Sequence, residues 1–182
     1  NLNLKLMKWR LEPELDLEKL QSQRALILGA GTLGCNIARL LLGYGVRNLT
    51  FVDCSRVNYS NLARQSLFTS DCFNDHGEGL PKAVAAAKAV LKIAPHANVK
   101  SVEMRIPMPG HYAAENQMDA IFSDLKHLEE LMTSHDVIFN VFDSREARYF
   151  PTTIGSLLNK NVISVGIGYE SFIIVQHGFF GP

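Results

Sequence analysis

The stretch Ala25-Leu-Ile-Leu-Gly-Ala-Gly-Thr-Leu-Gly34 decides the fold of this 182-residue chain. Its first four residues form an apolar run of the length that a buried strand needs, and the next six follow the pattern Gly-x-Gly-x-x-Gly. Apolar residues then recur at helical spacing, at Ile37, Leu40, Leu41 and Tyr44. A strand, a glycine-rich turn and a helix in this order are typical of a nucleotide-binding unit.

An acidic residue follows the next predicted strand. Leu49-Thr-Phe-Val52 reads as a buried strand, and Asp53 lies where its carboxyl end would reach the edge of the sheet. Asp53 comes 22 residues after Gly31, the spacing at which an acid accepts hydrogen bonds from ribose hydroxyls. The glycines would let a phosphate approach the backbone at the helix N-terminus. These features predict a nucleotide site, and alone they do not choose between NAD and ATP.

Strands and helices alternate along the rest of the chain, after an N-terminal lead-in segment over residues 1–22 with a loose helical spacing of leucines. The predicted elements are a helix over 82–93, an edge or half-buried strand over 99–106, a helix over 118–132, a strand over 137–141, a helix over 145–159, and strands over 162–165 and 172–175. The last two strands are predicted to be antiparallel. This order predicts an α/β fold with a doubly wound, mainly parallel sheet, and a ligand crevice beyond the carboxyl ends of its strands.

The charged residues near this crevice favour ATP over NAD. Asn61, Arg64 and Gln65 lie on the loop after the second strand, and Lys82 lies at a helix N-terminus. A triphosphate carries several negative charges, which a guanidinium, an amide and an ammonium at separate points would orient. Asp143 would hold Mg²⁺, a hard cation that takes one or two carboxylates plus phosphate oxygens. The alternative for Arg64 and Lys82 is that they are ordinary solvated charges.

Composition excludes several classes of partner. The chain is 47% hydrophobic and 20% charged, and its 18 basic residues balance 18 acidic ones, so no global field would hold a nucleic acid. Its apolar runs are far shorter than a bilayer requires, which argues against membrane insertion. The three cysteines lack the spacing of a disulfide framework or a zinc site, and this favours a cytoplasmic protein.

Five motifs occur in a shared order: Gly29-Ala-Gly-Thr-Leu-Gly34, Asp53, Ser60-Asn-Leu-Ala-Arg-Gln65, Pro81-Lys-Ala83 and Asp143-x-x-x-x-Arg148. In these motifs the chain resembles the ubiquitin-activating enzymes and their bacterial sulfur-carrier-adenylating relatives. The resemblance narrows to the autophagy branch at Met7-Lys-Trp-Arg-Leu11, Gly-Val-Arg47, Ile106-Pro-Met-Pro-Gly-His111, Asp143-Ser-Arg-Glu146 and His177-Gly178. It covers nearly the whole chain. The chain departs from the autophagy pattern at two places. Leu80 replaces a lysine of the family, and the segment Asn-Leu-Ala-Arg-Gln65 differs from the usual sequence.

The resemblance implies a Rossmann-like adenylation domain over residues 1–182, truncated at both ends, in a homodimeric enzyme. Such an enzyme uses ATP to adenylate the C-terminal glycine of the autophagy ubiquitin-like modifiers, autophagy proteins eight and twelve. It then captures the modifier as a cysteine thioester and passes it to conjugating enzymes.

The resemblance also implies a role for each site residue. Gly29, Gly31 and Gly34 would line the phosphate turn, and Asp53 would bind ribose. Asn61, Arg64 and Lys82 would bind the triphosphate. Asp143 would hold Mg²⁺, and Gln65 and Arg148 would support these groups. Arg64, Lys82 and Asp143 are the residues that we expect to act in catalysis.

The thioester cysteine is not evident among Cys35, Cys54 and Cys72. Cys35 follows the last glycine of the turn and is predicted to be a core residue, while a thiolate at Cys54 would be disfavoured by Asp53. In the family this cysteine follows the His-Gly segment, so we expect it beyond Pro182.

Two other functions stay open at this point. The first is an NAD(P)-dependent oxidoreductase, which the glycine turn over 29–34 and Asp53 would also suit. No residue is identified as the base that would act on its substrate. A non-catalytic module that dimerises or docks modifiers is the third interpretation, because no cysteine here is a convincing nucleophile.

Overall fold

A computed structural model of the chain describes residues 2–110 and 117–178. Its helices are α1 (Leu2–Leu11), α2 (Leu17–Ser22), α3 (Thr32–Gly43), α4 (Lys82–Ile93), α5 (Met118–Ser134) and α6 (Arg145–Leu157). Its strands are β1 (Arg24–Leu28), β2 (Asn48–Val52), β3 (Asn98–Val102), β4 (Val137–Asn140), β5 (Asn161–Ile167) and β6 (Phe172–His177). His111 and residues 179–182, which belong to the motifs and domain bounds above, lie outside the described residues.

The six strands form one sheet in the order β3-β2-β1-β4-β5-β6. Four neighbouring pairs are parallel, and only the pair β5–β6 is antiparallel among the described strands. The predicted α/β fold with a doubly wound, mainly parallel sheet is therefore confirmed. The chain order reverses between β1 and β4, and in open sheets of this kind the ligand crevice lies at that point.

Helices cover both faces of the sheet because its central strands are apolar on both sides. Ile27 and Phe51 belong to a core cluster with residues of α3 and α4, whereas Leu26 and Leu28 belong to a second cluster with residues of α5. Residues that alternate along a strand point to opposite faces, so β1 supplies both cores. Burying one such leucine or phenylalanine contributes about 1.5–3 kcal/mol.

The edges of the sheet depart from the predicted bounds. The strand predicted over 99–106 ends at Val102, since its pairing partner β2 ends at Val52. The chain then turns, and Met104 and Ile106 are buried in the second core cluster. The N-terminal segment forms two helices instead of one, because Asp16 caps a new helix by accepting a hydrogen bond from Lys19 N at 2.9 Å.

No helix within residues 2–110 and 117–178 combines the length and the apolar character needed to cross a bilayer.

Candidate functional site

A cavity of about 970 Å³ opens at the carboxyl ends of the central strands. Its wall includes residues that directly follow β1, β2 and β4, and this is the crevice that the topology predicts. The structure brings seven of the nine predicted site residues into this wall: Gly29, Gly31, Asp53, Arg64, Gln65, Lys82 and Asp143. Gly34 and Asn61 do not line it.

The glycine turn leaves the N-terminus of α3 open toward the cavity. Gly29 adopts a φ of +107°, a left-handed conformation that favours glycine. Gly31 caps α3 without a side-chain hydrogen bond, and a Cβ atom built on it would meet no atom within 4 Å. The first amide groups of the helix thus face free space, which is the arrangement that binds a phosphate.

Gly34 has a different role from the other two glycines. A Cβ atom on Gly34 would lie 2.0 Å from the carbonyl oxygen of Gly29. The residue therefore has to be glycine so that α3 can pack closely against the turn, and it acts on the cavity only by shaping that turn.

Two backbone amides hold the side chain of Asp53 in place. Its Oδ2 accepts a hydrogen bond from Ala30 N at 2.8 Å, and its Oδ1 accepts one from Ser55 N at 2.8 Å. The side chain is half-buried and lines the cavity. Oδ1 also accepts from Oγ of Ser55 at 2.5 Å, so Oδ2 is the oxygen with a lone pair left for a ligand hydroxyl.

Two cations flank the open end of α3. Arg64 donates from Nη1 to Oγ1 of Thr32 at 2.9 Å, and this places its guanidinium beside the first turn of the helix. Lys82 is the first residue of α4, and its backbone amide donates to the Ser55 carbonyl at 2.8 Å. Its side chain lines the cavity and forms no ion pair with any described residue. The cavity is thus positive where the helix begins.

Asn61 shapes the loop that carries Arg64. Its side-chain oxygen accepts from Asn58 N at 2.8 Å, and its carbonyl accepts from Arg64 N at 3.1 Å and Gln65 N at 2.8 Å. Asn61 is buried outside the cavity wall. Its direct contact with a triphosphate stays a prediction.

Gln65 carries a buried oxygen with no hydrogen-bond partner within the described chain. The residue is 2% exposed and lines the cavity, and its Oε1 is the unpartnered atom. Such an atom costs about 1–3 kcal/mol unless something satisfies it. This oxygen is not open to the cavity, so a ligand there does not contact it in this conformation.

Asp143 also lines the cavity, three residues beyond the end of β4, and its side chain is exposed. Its backbone is held by Arg148, which donates from Nε to the Phe142 carbonyl at 2.8 Å and from Nη2 to the Val165 carbonyl at 2.9 Å. Burial lowers the pKa of the Arg148 guanidinium. This agrees with the supporting position predicted for Arg148.

The donor set around Asp143 suits Mg²⁺ and no more demanding metal. The described residues contain no group of three His, Cys, Asp or Glu side chains that could hold an ion. Mg²⁺ is usually bound through one or two carboxylates, phosphate oxygens and waters, so the exposed carboxylate of Asp143 would hold it only together with the phosphates of a nucleotide.

Part of the cavity lining is apolar, and no predicted site residue belongs to it. It consists of side chains from three separate segments: Met104, Ile106, Met108, Phe142, Phe172 and Ile173. The alternation of apolar residues over 99–106 is the one sequence signal for Met104 and Ile106, and it predicts a strand rather than a cavity wall. The cavity thus has an apolar part, and Arg105, Arg145 and Arg148 line the cavity among these apolar residues.

The three cysteines differ in exposure. Cys35 and Cys72 are buried, and burial raises the pKa of the Cys35 thiol to about 11. The prediction that Cys35 is a core residue is confirmed. Cys54 is exposed and lines the cavity next to Asp53.

The sequence is similar to known proteins over nearly its whole length. The sequence profile of the ThiF family matches residues 2–179. The ubiquitin-like modifier-activating enzyme ATG7 of Cryptococcus neoformans is 51% identical over 179 residues, which are 98% of this chain and 26% of that protein. The ATG7 of Rattus norvegicus is 49% identical over 185 residues, covering 100% of this chain and 26% of its own length. The chain thus spans about a quarter of these curated relatives.

Solved structures show the same fold at lower sequence identity. E. coli MccB with succinimide superimposes with a TM-score of 0.69 at 18% identity, covering 88% of this chain and 41% of MccB. E. coli MccB with ATP gives 0.65 at 19% identity, covering 89% and 43%. The similarity to the autophagy activating enzymes is confirmed by the curated relatives, and on the match to its profile the chain belongs to the ThiF family.

Proposed function

We propose that this chain binds ATP together with Mg²⁺ and adenylates the C-terminal glycine of an autophagy ubiquitin-like modifier. One observation carries the proposal: the N-terminus of α3, which no side chain caps, opens into a cavity that Arg64 and Lys82 also line, next to the fixed carboxylate of Asp53. A helix N-terminus and two cations suit a triphosphate, and a carboxylate suits a ribose. The similarity to ATG7 supports the choice of modifier.

The proposed reaction joins a carboxylate to a phosphate. A glycine carboxylate oxygen attacks the α-phosphorus of ATP in line, and the bond from that phosphorus to the pyrophosphate oxygen breaks. A terminal carboxyl group has a pKa of about 3.3–3.7, so it is already ionised at neutral pH and no protein base is required. Arg64, Lys82 and the amides of α3 stabilise the negative charge that develops on departing pyrophosphate.

Asp143 is the residue that we assign to Mg²⁺. Its side chain is exposed, lines the cavity and forms no ion pair with a described residue. Bound Mg²⁺ supplies positive charge that offsets the charge of the phosphates. Arg148 keeps Asp143 in place through the neighbouring Phe142 carbonyl.

The apolar part of the cavity would receive the C-terminal end of the modifier. Methionine side chains adapt to irregular apolar surfaces, and Met104 and Met108 lie here beside Phe142. By similarity to ATG7, the modifiers are autophagy proteins eight and twelve. The adenylated modifier then passes to a cysteine thioester and to conjugating enzymes. We place the reaction in the cytoplasm, where free thiols such as those of this chain are stable.

We also propose that the chain acts as a homodimer. β6 is an edge strand, and Phe172, Ile173 and Ile174 along it are 76%, 58% and 61% exposed. Exposed apolar residues on an edge strand favour pairing with another surface. A two-fold dimer is the commonest way in which one chain covers such a surface.

Thermal unfolding tests the nucleotide assignment. The melting temperature of the chain is measured with Mg²⁺-ATP, with ATP and a chelator, and with NAD, because a ligand that binds only the folded state raises stability by mass action. We expect a rise with Mg²⁺-ATP that the chelator reduces, followed by modifier-dependent exchange of pyrophosphate into ATP. A rise with NAD alone would instead favour an oxidoreductase. No rise with either nucleotide would favour a docking module.

A further inference from the structure

Two buried oxygen atoms on neighbouring strands have no hydrogen-bond partner among the described residues. They are Oδ1 of Asn140 on β4 and Oγ of Ser164 on β5. Asn140 is 0% exposed and Ser164 is 6% exposed, so open solvent reaches neither side chain. A buried polar atom without a partner destabilises the fold, and both oxygens therefore require one.

The two side chains lie on the same face of the sheet. Asn140 and Ser164 are register partners in the parallel pair β4–β5, and neighbouring strands are about 4.7–4.9 Å apart. Helix α6 packs against both strands, and Nδ2 of Asn140 donates to the Arg148 carbonyl on that helix at 3.2 Å. This bond fixes the orientation of the amide, because the reverse orientation would bring two acceptors together.

A third polar group comes from α6 itself. Pro151 lies inside this helix and has no N–H, so the carbonyl of Ala147, four residues earlier, lacks its ordinary helical donor. Ala147 and Pro151 are both buried, which places this part of the helix against the sheet. The Ala147 carbonyl directly precedes the Arg148 carbonyl that Asn140 contacts. A water molecule is one of the groups that insert where the hydrogen-bond ladder of a helix is broken.

We propose that Asn140, Ser164 and Ala147 bind one internal water molecule between β4, β5 and α6. The water donates one proton to Oδ1 of Asn140 and the other to the Ala147 carbonyl. It accepts a hydrogen bond from the Ser164 hydroxyl. A buried water typically makes about three hydrogen bonds. One molecule thus satisfies both unpartnered oxygens and the carbonyl that Pro151 leaves without a helical donor.

The water links the start of α6 to the part of the cavity that is assigned to Mg²⁺. Arg148 lies in this part of the helix, and its Nε donates to the Phe142 carbonyl at 2.8 Å. Phe142 directly precedes Asp143. Asn140 and Ser164 do not line the cavity, so they are positioning residues that act through Arg148. This positioning role rests on the proposed function, whereas the water site does not.

Nuclear magnetic resonance tests the water site without any nucleotide. A water that stays in place gives a cross-peak to the side-chain amide protons of Asn140, with the sign typical of a long residence time. We expect this cross-peak in the unmodified chain and in Ser164→Ala, where the water keeps two partners. Ser164→Val should abolish it, because the two methyl groups occupy the space of the water and donate no hydrogen bond.

Three results would overturn the water site. A missing cross-peak in the unmodified chain means that no water is held beside Asn140. Loss of the cross-peak in Ser164→Ala means that it came from the exchanging hydroxyl of Ser164, which then bonds to Asn140 directly. A cross-peak that persists in Ser164→Val means that the water lies elsewhere.

A magnesium titration tests the positioning role. In Ser164→Val the Mg²⁺ concentration for half-maximal ATP binding should rise about tenfold, as when an outer contact of a metal ligand is lost, while ATP affinity at saturating Mg²⁺ changes little. Thr50→Val is the matched control, because Thr50 is a buried polar residue of the same sheet that is hydrogen-bonded to His135 and does not line the cavity.

An equal shift in the two variants would overturn the positioning role and leave the proposed function standing. If the unmodified chain binds no ATP, the proposed function fails and the positioning role fails with it. The cross-peak of Asn140 still decides the water site in that case.

Discussion

Arg64 donates a hydrogen bond of 2.9 Å to Oγ1 of Thr32, a residue 32 positions earlier in the chain. Thr32 is the first residue of α3, so this bond ties the loop after β2 to the helix whose N-terminus faces the cavity. The guanidinium has further donors that point away from this bond. The contact therefore positions a cation beside the predicted phosphates before any ligand binds.

Replacing Arg64 by alanine should weaken ATP binding with little loss of stability. A hydrogen bond to a charged group is worth about 1.5–3 kcal/mol, so the Kd for ATP should rise about 10- to 100-fold. Titration calorimetry measures this change. Arg39→Ala is the control, because Arg39 is an exposed arginine on α3 that does not line this cavity. Equal effects of the two substitutions would contradict the assignment of Arg64.

Two alanine substitutions in the glycine turn should have different effects. Gly31→Ala should weaken ATP binding, and Gly34→Ala should destabilise the fold. Gly31 has a φ of −83° and open space around a Cβ atom, so Gly31→Ala should fold normally and obstruct the approach of a phosphate. In Gly34→Ala the new methyl group meets the Gly29 carbonyl, and overpacking of this kind costs about 1–3 kcal/mol. Denaturant unfolding and ATP titration of both variants check this pair. A Gly31→Ala variant with unchanged ATP affinity would refute the phosphate turn.

Asp143→Asn should change the dependence on Mg²⁺ and leave the fold intact, since the exposed carboxylate forms no ion pair with a described residue. We expect the Mg²⁺ concentration for half-maximal ATP binding to rise about tenfold or more, which corresponds to about 1.4 kcal/mol. Glu146→Gln, an exposed acid three residues away, is the control. The Mg²⁺ assignment is wrong if the titration curve of Asp143→Asn overlays that of the unmodified chain.

His135 should make the fold sensitive to acid. Its Nδ1 donates to the Leu131 carbonyl at 2.6 Å, and in the neutral ring its Nε2 accepts from Oγ1 of Thr50 at 2.8 Å. Burial lowers the pKa of His135. The unfolded chain therefore binds a proton at a higher pH than the folded chain does, and stability falls as the pH drops below about 6.5.

The substitution His135→Gln isolates this contribution. The variant is expected to be less stable at neutral pH, and its free energy of unfolding should decline less between about pH 7.5 and about pH 5.5 than that of the unmodified chain. Urea unfolding at the two pH values gives the comparison. A decline of the same size in both proteins would show that other groups cause the acid sensitivity.

The proposed dimer depends on β6. Ile174→Ser removes an apolar side chain that is 61% exposed on this edge strand and does not line the cavity, and it should shift the chain toward monomer in analytical ultracentrifugation. Leu157→Ser is the matched control, since Leu157 is 80% exposed at the end of α6. A chain that is monomeric before any substitution would contradict the dimer for the 182 residues studied.

The sequence predicted the central part of the fold well because the decisive patterns are local. An apolar run, a glycine turn and a helical face appear within residues 25–45, and the Ala-rich helix over 82–93 has the predicted bounds. Asp53 and Asp143 follow strands, and parallel strands bring their carboxyl ends to one edge. Their placement in one cavity was therefore predictable without coordinates.

The apolar part of the cavity was not predictable in the same way. Met104, Phe142 and Phe172 come from segments far apart in sequence, and they meet only because β5 lies next to β4 and β6 turns back beside β5. The different roles of Gly31 and Gly34 also depend on geometry. Both are glycines of one motif, and only the distance to the Gly29 carbonyl separates them.

The two backbone bonds to Asp53 have an entropic consequence for any ligand of this cavity. Ala30 N and Ser55 N restrict the rotation of the Asp53 side chain before a ligand arrives. Immobilising a freely rotating side chain on binding costs about 0.5–1.5 kcal/mol. That loss of freedom has already occurred during folding of the chain. A hydroxyl that bonds to this carboxylate therefore meets a rigid acceptor, and more of its interaction energy remains as affinity.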